Sequence, residues 1–228
     1  MNLRVKNALI SVSDKENLAK LLKTLKKFNI NIISSGGTYN SIKKLGYKCT
    51  ELSKYTGFTE MLDGRVKTLH PKIHAGILHD RQNKKHKNEM SKQNFPPIDL
   101  IIVNFYPFQK IVFNTKNPKK IIENIDIGGP TMVRAAAKNY NDVVVVSNPN
   151  QYQKFIFEIN KNNGSTNIKY REQLAEEAFM ETAYYESKIF NYFNKKTKNN
   201  FPSKNVFSGK LLEKIRYGEN PHQEAAIY

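Results

Sequence analysis

Residues 7–52 read NALISVSDKENLAKLLKTLKKFNINIISSGGTYNSIKKLGYKCTEL, and the order of apolar segments in this stretch decides the fold. Three apolar runs are typical of buried strands, at residues 7–13, 30–34 and 47–52. Leucines at helical spacing predict an amphipathic helix over residues 15–28, and a second helix is expected over residues 39–45. Strands and helices that alternate in this way predict an α/β fold, in which a parallel sheet is flanked by helices on both faces.

The alternation is interrupted at residues 53–82, which have no clean helical or strand period. A long irregular segment in a compact domain is usually functional or disordered. Two further strands are predicted beyond it, at residues 98–105 and 142–147, so the expected parallel sheet has five strands. Further helices are predicted at residues 118–124, 126–138, 149–161 and 171–195.

A polar segment at residues 195–204 follows the last predicted helix and is typical of a linker. It predicts a domain boundary. Residues 1–195 are expected to form one domain that ends in a helical extension. Residues 196–228 are expected to form a linker and the first residues of another domain.

The chain has 228 residues and a formal net charge of +17, from 37 basic and 20 acidic side chains. Of the basic residues 31 are Lys and only 6 are Arg, and the densest basic run, residues 81–92, contains no aromatic side chain. A basic run without aromatic side chains, on which bases could stack, binds single-stranded nucleic acid poorly. We therefore expect a solvated, lysine-rich surface and no nucleic-acid partner. The charge would still attract phosphorylated metabolites.

The sequence also argues against membranes, secretion and cysteine-based sites. No apolar run approaches the ~20 residues of a membrane-spanning helix, and the first residues lack the apolar segment of a secretory signal. We therefore expect no membrane partner and a cytoplasmic location. The single cysteine, Cys49, excludes an intrachain disulfide framework and a cysteine-based zinc site.

Two loops at neighbouring strand ends have the composition of an anion site. In an open parallel sheet, ligands bind beyond the carboxyl ends of the strands, where the sequence places Ser13-Asp14-Lys15 and Ser35-Gly36-Gly37-Thr38. The glycines allow the backbone to approach an anion, and a helix N-terminus supplies N–H groups. Each loop also has a plain structural interpretation: a helix N-cap by Ser13 or Asp14, and a tight turn.

The irregular segment contributes further basic groups in RVKTLHPKIH, residues 65–74. In an extended chain Arg65 and Lys67 would face the same side and suit an anionic substrate, although an exposed basic loop is the alternative. His70 and His74 lie four residues apart, which is a possible metal-ligand spacing. No acidic residue or third histidine is spaced to complete the set, so no metal site is expected.

A third candidate element is the segment Asp126-Ile127-Gly128-Gly129-Pro130, at the start of a predicted helix. It has the composition of an anion-binding helix start preceded by a carboxylate. Its alternative interpretation is a capping aspartate with a proline near the first helical turn. Lys138 lies about three turns further along the same helix, and the sequence leaves open whether it faces inward or outward.

Six segments in order resemble the bifunctional purine biosynthesis proteins, and five of them resemble their N-terminal IMP cyclohydrolase (inosinicase) domain. The five are SVSDK at residues 11–15, SGGT at 35–38, TGFTEMLDGRVKTLHPKIHAG at 56–76, VNFYPF at 103–108 and NIDIGGPTMVRAAAKN at 124–139. The sixth, IRYGENPHQEAAIY at residues 215–228, is similar to the entrance of the family's formyltransferase domain. The resemblance to the cyclohydrolase domain covers about residues 7–195.

This resemblance implies a methylglyoxal-synthase-like α/β fold. It implies an enzyme that closes 5-formamidoimidazole-4-carboxamide ribotide to inosine monophosphate with loss of water, which is a hydrolase reaction running in the ring-closing direction. No cofactor is implied for this step. In the family 10-formyltetrahydrofolate serves only the formyltransferase, of which residues 196–228 are expected to hold just the beginning. A small-molecule nucleotide substrate and a homodimer are also implied.

The resemblance assigns roles to residues of this chain. The implied chemical groups are Lys67, Tyr106, Asp126 and Lys138, with Lys138 as the usual proton donor and acceptor. Phe105 departs from the leucine common in relatives, which is a tolerable apolar exchange. The implied substrate contacts are Ser13, Asp14, Lys15, Ser35, Gly36, Gly37, Thr38, Arg65, Val66, Lys67, Thr68, Val103, Asn104, Asp126, Ile127 and Gly128.

The chemistry of the implied reaction suits these residue types. The carboxamide nitrogen attacks a formyl carbon of the same molecule, so the covalent tether supplies much of the proximity. What remains is proton transfer and stabilisation of a developing oxyanion, which carboxyl, phenol and ammonium groups can provide. Three alternatives are a methylglyoxal-synthase-type lyase, a non-catalytic nucleotide- or phosphate-sensing domain of the same fold, and a basic nucleic-acid-binding protein.

Overall fold

A computed structural model describes residues 2–228. Within them the strands are β1 (Leu3–Arg4), β2 (Asn7–Val12), β3 (Asn31–Ser34), β4 (Thr50–Glu51), β5 (Leu100–Asn104), β6 (Val144–Val146), β7 (Ser165–Thr166), β8 (Glu213–Ile215) and β9 (Ala225–Ile227). Five of them form one sheet in the order β4-β3-β2-β5-β6. Every pairing in this sheet is parallel, which confirms the predicted five-stranded parallel sheet.

The helices described are α1 (Leu18–Lys27), α2 (Gly36–Lys44), α3 (Leu52–Thr56), α4 (Pro71–Leu78), α5 (Lys84–Lys92), α6 (Phe108–Asn114), α7 (Pro118–Glu123), α8 (Gly128–Lys138), α9 (Tyr152–Lys161) and α10 (Ile168–Thr197). Short 3₁₀ turns occur at Leu62–Gly64 and Pro149–Gln151. None of the helices in residues 2–228 is long and apolar enough to span a bilayer.

The core lies on both faces of the central strands. All five residues of β5 and all three of β6 are buried, as expected of parallel strands covered on each face by helices. On one helix, α1, Leu18, Leu21, Leu22 and Leu25 are buried and its lysines are not. The 3.6-residue period of the leucines therefore places a single apolar stripe of α1 in the core.

Several boundaries differ from the predicted ones. The third strand is only Thr50–Glu51, and α2 begins at Gly36 instead of residue 39. The interrupted segment, residues 53–82, contains most of α3 and all of α4. The basic run at residues 81–92 includes α5, whose Met90 is buried. These helices are too short to show a clear period in the sequence.

The predicted N-cap of the first helix is also corrected. Helix α1 begins at Leu18, after Asn17 in the left-handed region at φ 58°. Asp14 Oδ1 instead accepts a hydrogen bond from the backbone N–H of Glu16, before the helix starts. Neither Ser13 nor Asp14 therefore caps α1, and the residues between β2 and α1 form a loop with its own hydrogen bonds.

The described chain divides into two compact units, the first ending at Thr182 and the second comprising Ala183–Tyr228. The first unit contains the parallel sheet and a small antiparallel pair, β1 with β7. The second contains the antiparallel pair β8 with β9. The sequence predicts a boundary between residues 195 and 196 that separates two domains of different function. The compact units do not test this functional boundary, so it stays a prediction.

Candidate active site

Three neighbouring strands end beside one another at the carboxyl edge of the sheet. They are β2, β3 and β5, whose last residues are Val12, Ser34 and Asn104. The registers pair Ile10 with Ser34 and Val12 with Asn104. The segments that follow these strands carry Ser13–Lys15, Ser35–Thr38 and Tyr106, so the fold brings these predicted residues to one edge of the sheet.

The loop after β3 becomes the first turn of α2. Gly36 has φ +52°, a left-handed value that side chains with a Cβ rarely adopt. A Cβ on Gly37 would meet nothing within 4 Å, so open space lies in front of this turn. The first N–H groups of a helix have no acceptor inside it, and the N-cap residue Ser35 makes no side-chain capping bond. The turn therefore presents backbone donors to an open space.

Thr38 joins this turn to the end of β2. Its hydroxyl accepts a hydrogen bond from the Val12 N–H and donates one to the Val12 carbonyl, both at 3.0 Å. The side chain is buried, with 5% of its surface exposed. Its role in the structure is to hold the α2 turn beside the loop that starts at Ser13.

Lys67 brings a positive charge to the same place. Its Nζ lies 3.7 Å from the position that a Cβ of Gly36 would occupy. In the described part of the chain, this ammonium has no hydrogen bond and no carboxylate within salt-bridge distance. It lines a cavity of about 150 Å³ together with Ser35, Gly36, Glu51, Leu52, Ser53, Phe58, Thr59 and Glu60. A half-buried, unpaired ammonium beside open backbone donors suits an anionic ligand.

A strained turn precedes Lys67. Leu62, Asp63 and Gly64 have φ values of 54°, 53° and 88°, and Met61 and Val66 exchange backbone hydrogen bonds across the turn. A non-glycine residue in the left-handed region costs on the order of 1–3 kcal/mol. This conformation persists only because its surroundings hold it, and it sets the direction of the chain that carries Lys67.

Arg65 and Lys67 have different environments, contrary to the shared face that an extended segment predicts. The Arg65 guanidinium makes a two-pronged ion pair with Glu123 of α7, and both side chains are mostly exposed. This hydrogen-bonded pairing raises the pKa of Arg65 and lowers the pKa of Glu123. Arg65 therefore has a carboxylate partner, while Lys67 is the group that lines the cavity.

Asp126 is the carboxylate of the site. Its Oδ1 accepts a hydrogen bond of 2.8 Å from the N–H of Gly129 in the first turn of α8, and the backbone N–H of Tyr106 donates a second one. Burial raises the pKa of Asp126, while these two bonds and the charge of Lys67 oppose the rise. A carboxyl group that is held in place and has a raised pKa can exchange protons.

The first turn of α8 packs directly on the residue after Lys67. A Cβ on Gly128 would lie 2.2 Å from Thr68 Oγ1, and Thr68 is buried. Ile127 is exposed at 59% and Tyr106 at 46%. Thr68 and Gly128 thus form a close contact within the site, whereas the side chains of Tyr106 and Ile127 are accessible to a ligand.

The loop after β2 uses most of its polar groups inside the protein. The Asn104 amide oxygen accepts hydrogen bonds from the N–H groups of Ser13 and Asp14. The Ser13 hydroxyl, which has one proton to donate, lies 2.8 Å from this oxygen and 2.6 Å from the Phe105 carbonyl. Asp14 and Lys15 side chains are exposed, and Lys15 Nζ lies 3.4 Å from the Ser13 carbonyl. Val103 is buried at 1% exposure, so its side chain belongs to the core. Of this loop, Asp14 and Lys15 remain open to a ligand.

Lys138 lies at the end of α8 and its side chain is exposed, which answers the question of orientation that the sequence left open. It is about 15 Å along the helix from Gly128. The three alanines before it are the buried residues of this turn, because they occupy the positions of α8 that face the core. Its catalytic role stays a prediction that rests on the resemblance.

The two histidines have structural partners. His70 Nδ1 accepts a hydrogen bond from the Lys72 N–H at the start of α4. His74 interacts with the Thr68 carbonyl, and burial lowers the pKa of His74. Across residues 2–228, no group of three or more His, Cys, Asp or Glu side chains is arranged to hold a metal ion.

Sequence reasoning missed one wall of the cavity. Glu51, Leu52, Ser53, Phe58, Thr59 and Glu60 line it together with the predicted residues. Residues 56–60, TGFTE, belong to a block that carries the family resemblance, and RVKT follows them in the same block. This shared block was the sequence feature that could have predicted that residues 56–60 line the cavity with Lys67. Phe58 also lies near His70, with ring centroids 6.0 Å apart.

Comparison with known proteins identifies related families, sequences and one related structure. The MGS-like domain family matches residues 17–131, and the AICARFT/IMPCHase bienzyme family matches residues 136–228. A protein of Bradyrhizobium diazoefficiens named "Bifunctional purine biosynthesis protein PurH" is 47% identical over 99% of this chain. Proteins of the same name from Leptospira biflexa and Oceanobacillus iheyensis are 45% and 46% identical over 99% and 98% of this chain.

The chain spans 42–44% of the length of these curated relatives. A solved structure described as "Crystal structure of ForH" superposes with a TM-score of 0.74 and is 29% identical in sequence. That alignment covers 83% of this chain and 99% of the other. The structural similarity therefore extends over most of this chain.

Proposed function

The chain belongs to the MGS-like domain family, and we propose that it is an IMP cyclohydrolase, which closes 5-formamidoimidazole-4-carboxamide ribotide to inosine monophosphate with loss of water. The observation that carries the proposal is the convergence of Lys67 and Asp126 beside the open first turn of α2. Similarity to bifunctional purine biosynthesis proteins over 99% of the chain supports it.

The nucleotide 5′-phosphate is proposed to bind at the first turn of α2. Backbone N–H groups there face open space, and an anion is favoured at a helix N-terminus. Lys15, on the adjacent loop, is exposed and can add a second positive group beside that of Lys67. The net charge of +17 would also attract a phosphorylated substrate over a longer range.

The base of the nucleotide is then proposed to lie toward Asp126 and Tyr106. Cyclisation forms a bond from the attacking amide nitrogen to the formyl carbon. One proton leaves this amide nitrogen and one leaves the formamido nitrogen, which becomes double-bonded to the same carbon, and both protons depart with the formyl oxygen as water. Asp126 can take and return a proton because burial raises its pKa. The Lys67 ammonium can stabilise negative charge that develops on the formyl oxygen, and the exposed Tyr106 side chain lies near this reacting end.

We propose no cofactor and no metal for this reaction, because the intramolecular attack needs proton transfer and charge stabilisation that Lys67, Asp126 and Tyr106 can provide. Activity is expected to persist in excess chelator. A loss that zinc restores would contradict this proposal. A cytoplasmic location and a homodimer are likewise proposed, in agreement with a purine-nucleotide substrate.

The direct test is to add the formamido ribotide to the purified chain and follow inosine monophosphate by its ultraviolet absorbance. Lys67→Gln is expected to lower kcat/KM on the order of 10²-fold. Lys72→Gln is the matched control, because Lys72 lies over the rings of Tyr55 and Phe95 and not in the cavity. Binding of inosine monophosphate without turnover would favour the sensing alternative, and consumption of a triose phosphate would favour the lyase.

A further inference from the structure

Phe58 is the aromatic side chain among the residues that line the cavity beside the first turn of α2. The other lining residues are mostly polar or charged, among them Ser35, Glu60 and Lys67. Nearly half of the Phe58 surface, 48%, is exposed. A single exposed apolar side chain is common on protein surfaces and needs no explanation by itself. What distinguishes Phe58 is that both its backbone and its ring are held in place.

The backbone of Phe58 is held by the end of α3. Gly57 follows this helix in the left-handed region at φ +75°, and its N–H donates to the Ser53 carbonyl at 2.8 Å. A glycine in this conformation is a common end of a helix. The Thr56 hydroxyl donates to the Leu52 carbonyl, its nearest acceptor, at 2.9 Å, and accepts a hydrogen bond from the Phe58 N–H at 3.1 Å. These bonds fix the direction in which the chain leaves α3 and place Phe58 at the wall of the cavity.

The ring of Phe58 lies beside that of His70, with centroids 6.0 Å apart and planes inclined at 44°. This separation is within the range in which aromatic rings attract each other. His70 is itself fixed as the N-cap of α4, because its Nδ1 accepts a hydrogen bond from the Lys72 N–H at 3.1 Å. The ring of Phe58 therefore has a fixed neighbour on one side, and its exposed part borders the cavity.

The same cavity contains a charged group of the proposed reaction. Lys67 lines it, and the next residue, Thr68, contacts the first turn of α8 at Gly128. The N–H of Gly129 in that turn donates a hydrogen bond of 2.8 Å to the Asp126 carboxylate. A heterocycle whose reacting end lies near Lys67 and Asp126 therefore reaches the cavity that Phe58 lines.

We infer that Phe58 is a stacking platform for the heterocyclic base of the nucleotide: the exposed face of its ring packs against the imidazole ring of the substrate and the purine ring of the product. This inference rests on the proposed function, which supplies the nucleotide. Stacking of a base on an aromatic side chain needs no hydrogen bond. Phe58 thus binds the base through its face, while Lys67 and Asp126 act on its edge.

The experiment compares a ligand that has a base with one that lacks it. Inosine monophosphate and ribose 5-phosphate share the ribose and the phosphate, and equilibrium titration of the full chain gives a Kd for each. Phe58→Leu is expected to weaken binding of inosine monophosphate about tenfold, within the range for one stacked base, and to leave the Kd of ribose 5-phosphate unchanged. Phe58→Tyr keeps the ring and should bind both ligands as the wild type does. Phe113→Leu is the matched control, because Phe113 is 91% exposed on α6 and does not line the cavity. It should change neither Kd.

A tryptophan at the same position supplies a spectroscopic readout, because the chain contains no tryptophan of its own. In Phe58→Trp a base stacked on the indole should quench its fluorescence. Inosine monophosphate should therefore quench the fluorescence of Phe58→Trp, and ribose 5-phosphate should not. Phe113→Trp should respond to neither ligand. This measurement stands on its own if Phe58→Leu fails to fold.

Failure of the inference and failure of the proposed function give different results. A wild-type chain that neither forms nor binds inosine monophosphate overturns the proposed function, and this inference with it. Equal weakening of both ligands in Phe58→Leu would show a cavity that has only lost its shape, and overturns the inference alone. An unchanged Kd for inosine monophosphate in that variant, or fluorescence of Phe58→Trp that responds alike to both ligands, has the same consequence.

Discussion

At the scale of single residues, Asp126 shows how a functional group is kept at some cost in stability. Its carboxylate receives two backbone hydrogen bonds and lies near Lys67, yet burial still raises its pKa above the ordinary value of 3.8. Ionisation of this group therefore opposes folding. Its favourable contribution to stability is complete below the ordinary pKa and is lost as the pH rises through the raised, folded-state value.

Replacement of this carboxyl by an amide has a predicted pH signature. Asp126→Asn keeps an acceptor for the Gly129 N–H but cannot ionise, so its melting temperature relative to wild type should rise from acidic to neutral pH. Its kcat should fall on the order of 10²–10⁴-fold. Thermal unfolding across that pH range and steady-state kinetics check both effects.

Glu123→Gln provides the control of opposite sign, because the pKa of Glu123 is lowered by Arg65. A lowered carboxyl pKa stabilises the fold above the ordinary value, and this contribution disappears as the pH falls. The variant should therefore lose stability relative to wild type at neutral pH and match it in acid. If Asp126→Asn also lost stability relative to wild type between acidic and neutral pH, as Glu123→Gln should, the pKa of Asp126 would not be raised by burial.

Gly37 provides a residue-scale test of the phosphate position. A Cβ at this position meets nothing within 4 Å, so a valine should be accommodated by the unliganded fold. A branched side chain would nevertheless occupy the space in which an anion must approach the α2 turn. Gly37→Val should raise KM at least about tenfold, the effect of losing about 1.4 kcal/mol of binding, with a melting temperature near that of wild type. Steady-state kinetics that give an unchanged KM would place the phosphate elsewhere.

At the scale of elements, the site depends on how closely α8 approaches the segment that carries Lys67 and Thr68. The contact is between Gly128, the first residue of α8, and Thr68 Oγ1. On the other side of this turn, the Asp126 carboxylate accepts a hydrogen bond from the Gly129 N–H. A larger residue at the start of α8 would therefore separate the carboxyl group from the ammonium.

Gly128→Ala should destabilise the chain by about 1–3 kcal/mol, because the new Cβ must displace a buried threonine. In Gly128→Ala/Thr68→Ala the obstructing hydroxyl is absent, and the loss should be smaller than the sum of the single losses. Gly37→Ala, with open space around its Cβ, should cost little. Chemical denaturation measures the wild type, Gly128→Ala, Thr68→Ala, the double variant and Gly37→Ala. Additive losses in the double variant would show that the two elements do not meet at this contact.

At the scale of the whole molecule, the sheet and the cavity belong to the first compact unit, which ends at Thr182. Every strand of the five-stranded sheet and each of Lys67, Asp126 and Tyr106 precede that residue. In the second unit, large apolar side chains are exposed, among them Phe201 at 94% and Phe207 at 90%.

A chain ended at Thr182 is therefore expected to keep the fold and the site. It should unfold in one cooperative transition and retain a KM for the formamido ribotide within about threefold of the full chain, a difference of less than about 1 kcal/mol. Circular dichroism and steady-state kinetics provide the measurements. Loss of cooperativity in this shorter chain would mean that residues of the second unit are required to hold the sheet together.

Local pattern determined much of this protein from the sequence by itself. Apolar strands of β-branched residues, leucines at helical spacing and glycine-rich turns are short-range signals, so the parallel sheet and the loops around Ser35 and Asp126 were predictable. The order of motifs also indicated the family. Short helices such as α3 and α5 were missed, because one or two turns show too little of a period.

Tertiary structure alone decided which polar groups already have hydrogen-bond partners within the protein. The side chains of Asn104 and Thr38 bind Ser13, Asp14 and Val12 across 26 to 91 residues of chain, and their substrate contacts stay a prediction. Arg65 forms an ion pair with Glu123, Lys67 has no carboxylate within salt-bridge distance in residues 2–228, and Lys138 is the last residue of α8. Hydrogen-bond partners and distances depend on the packing of distant segments, and no local pattern contains that information.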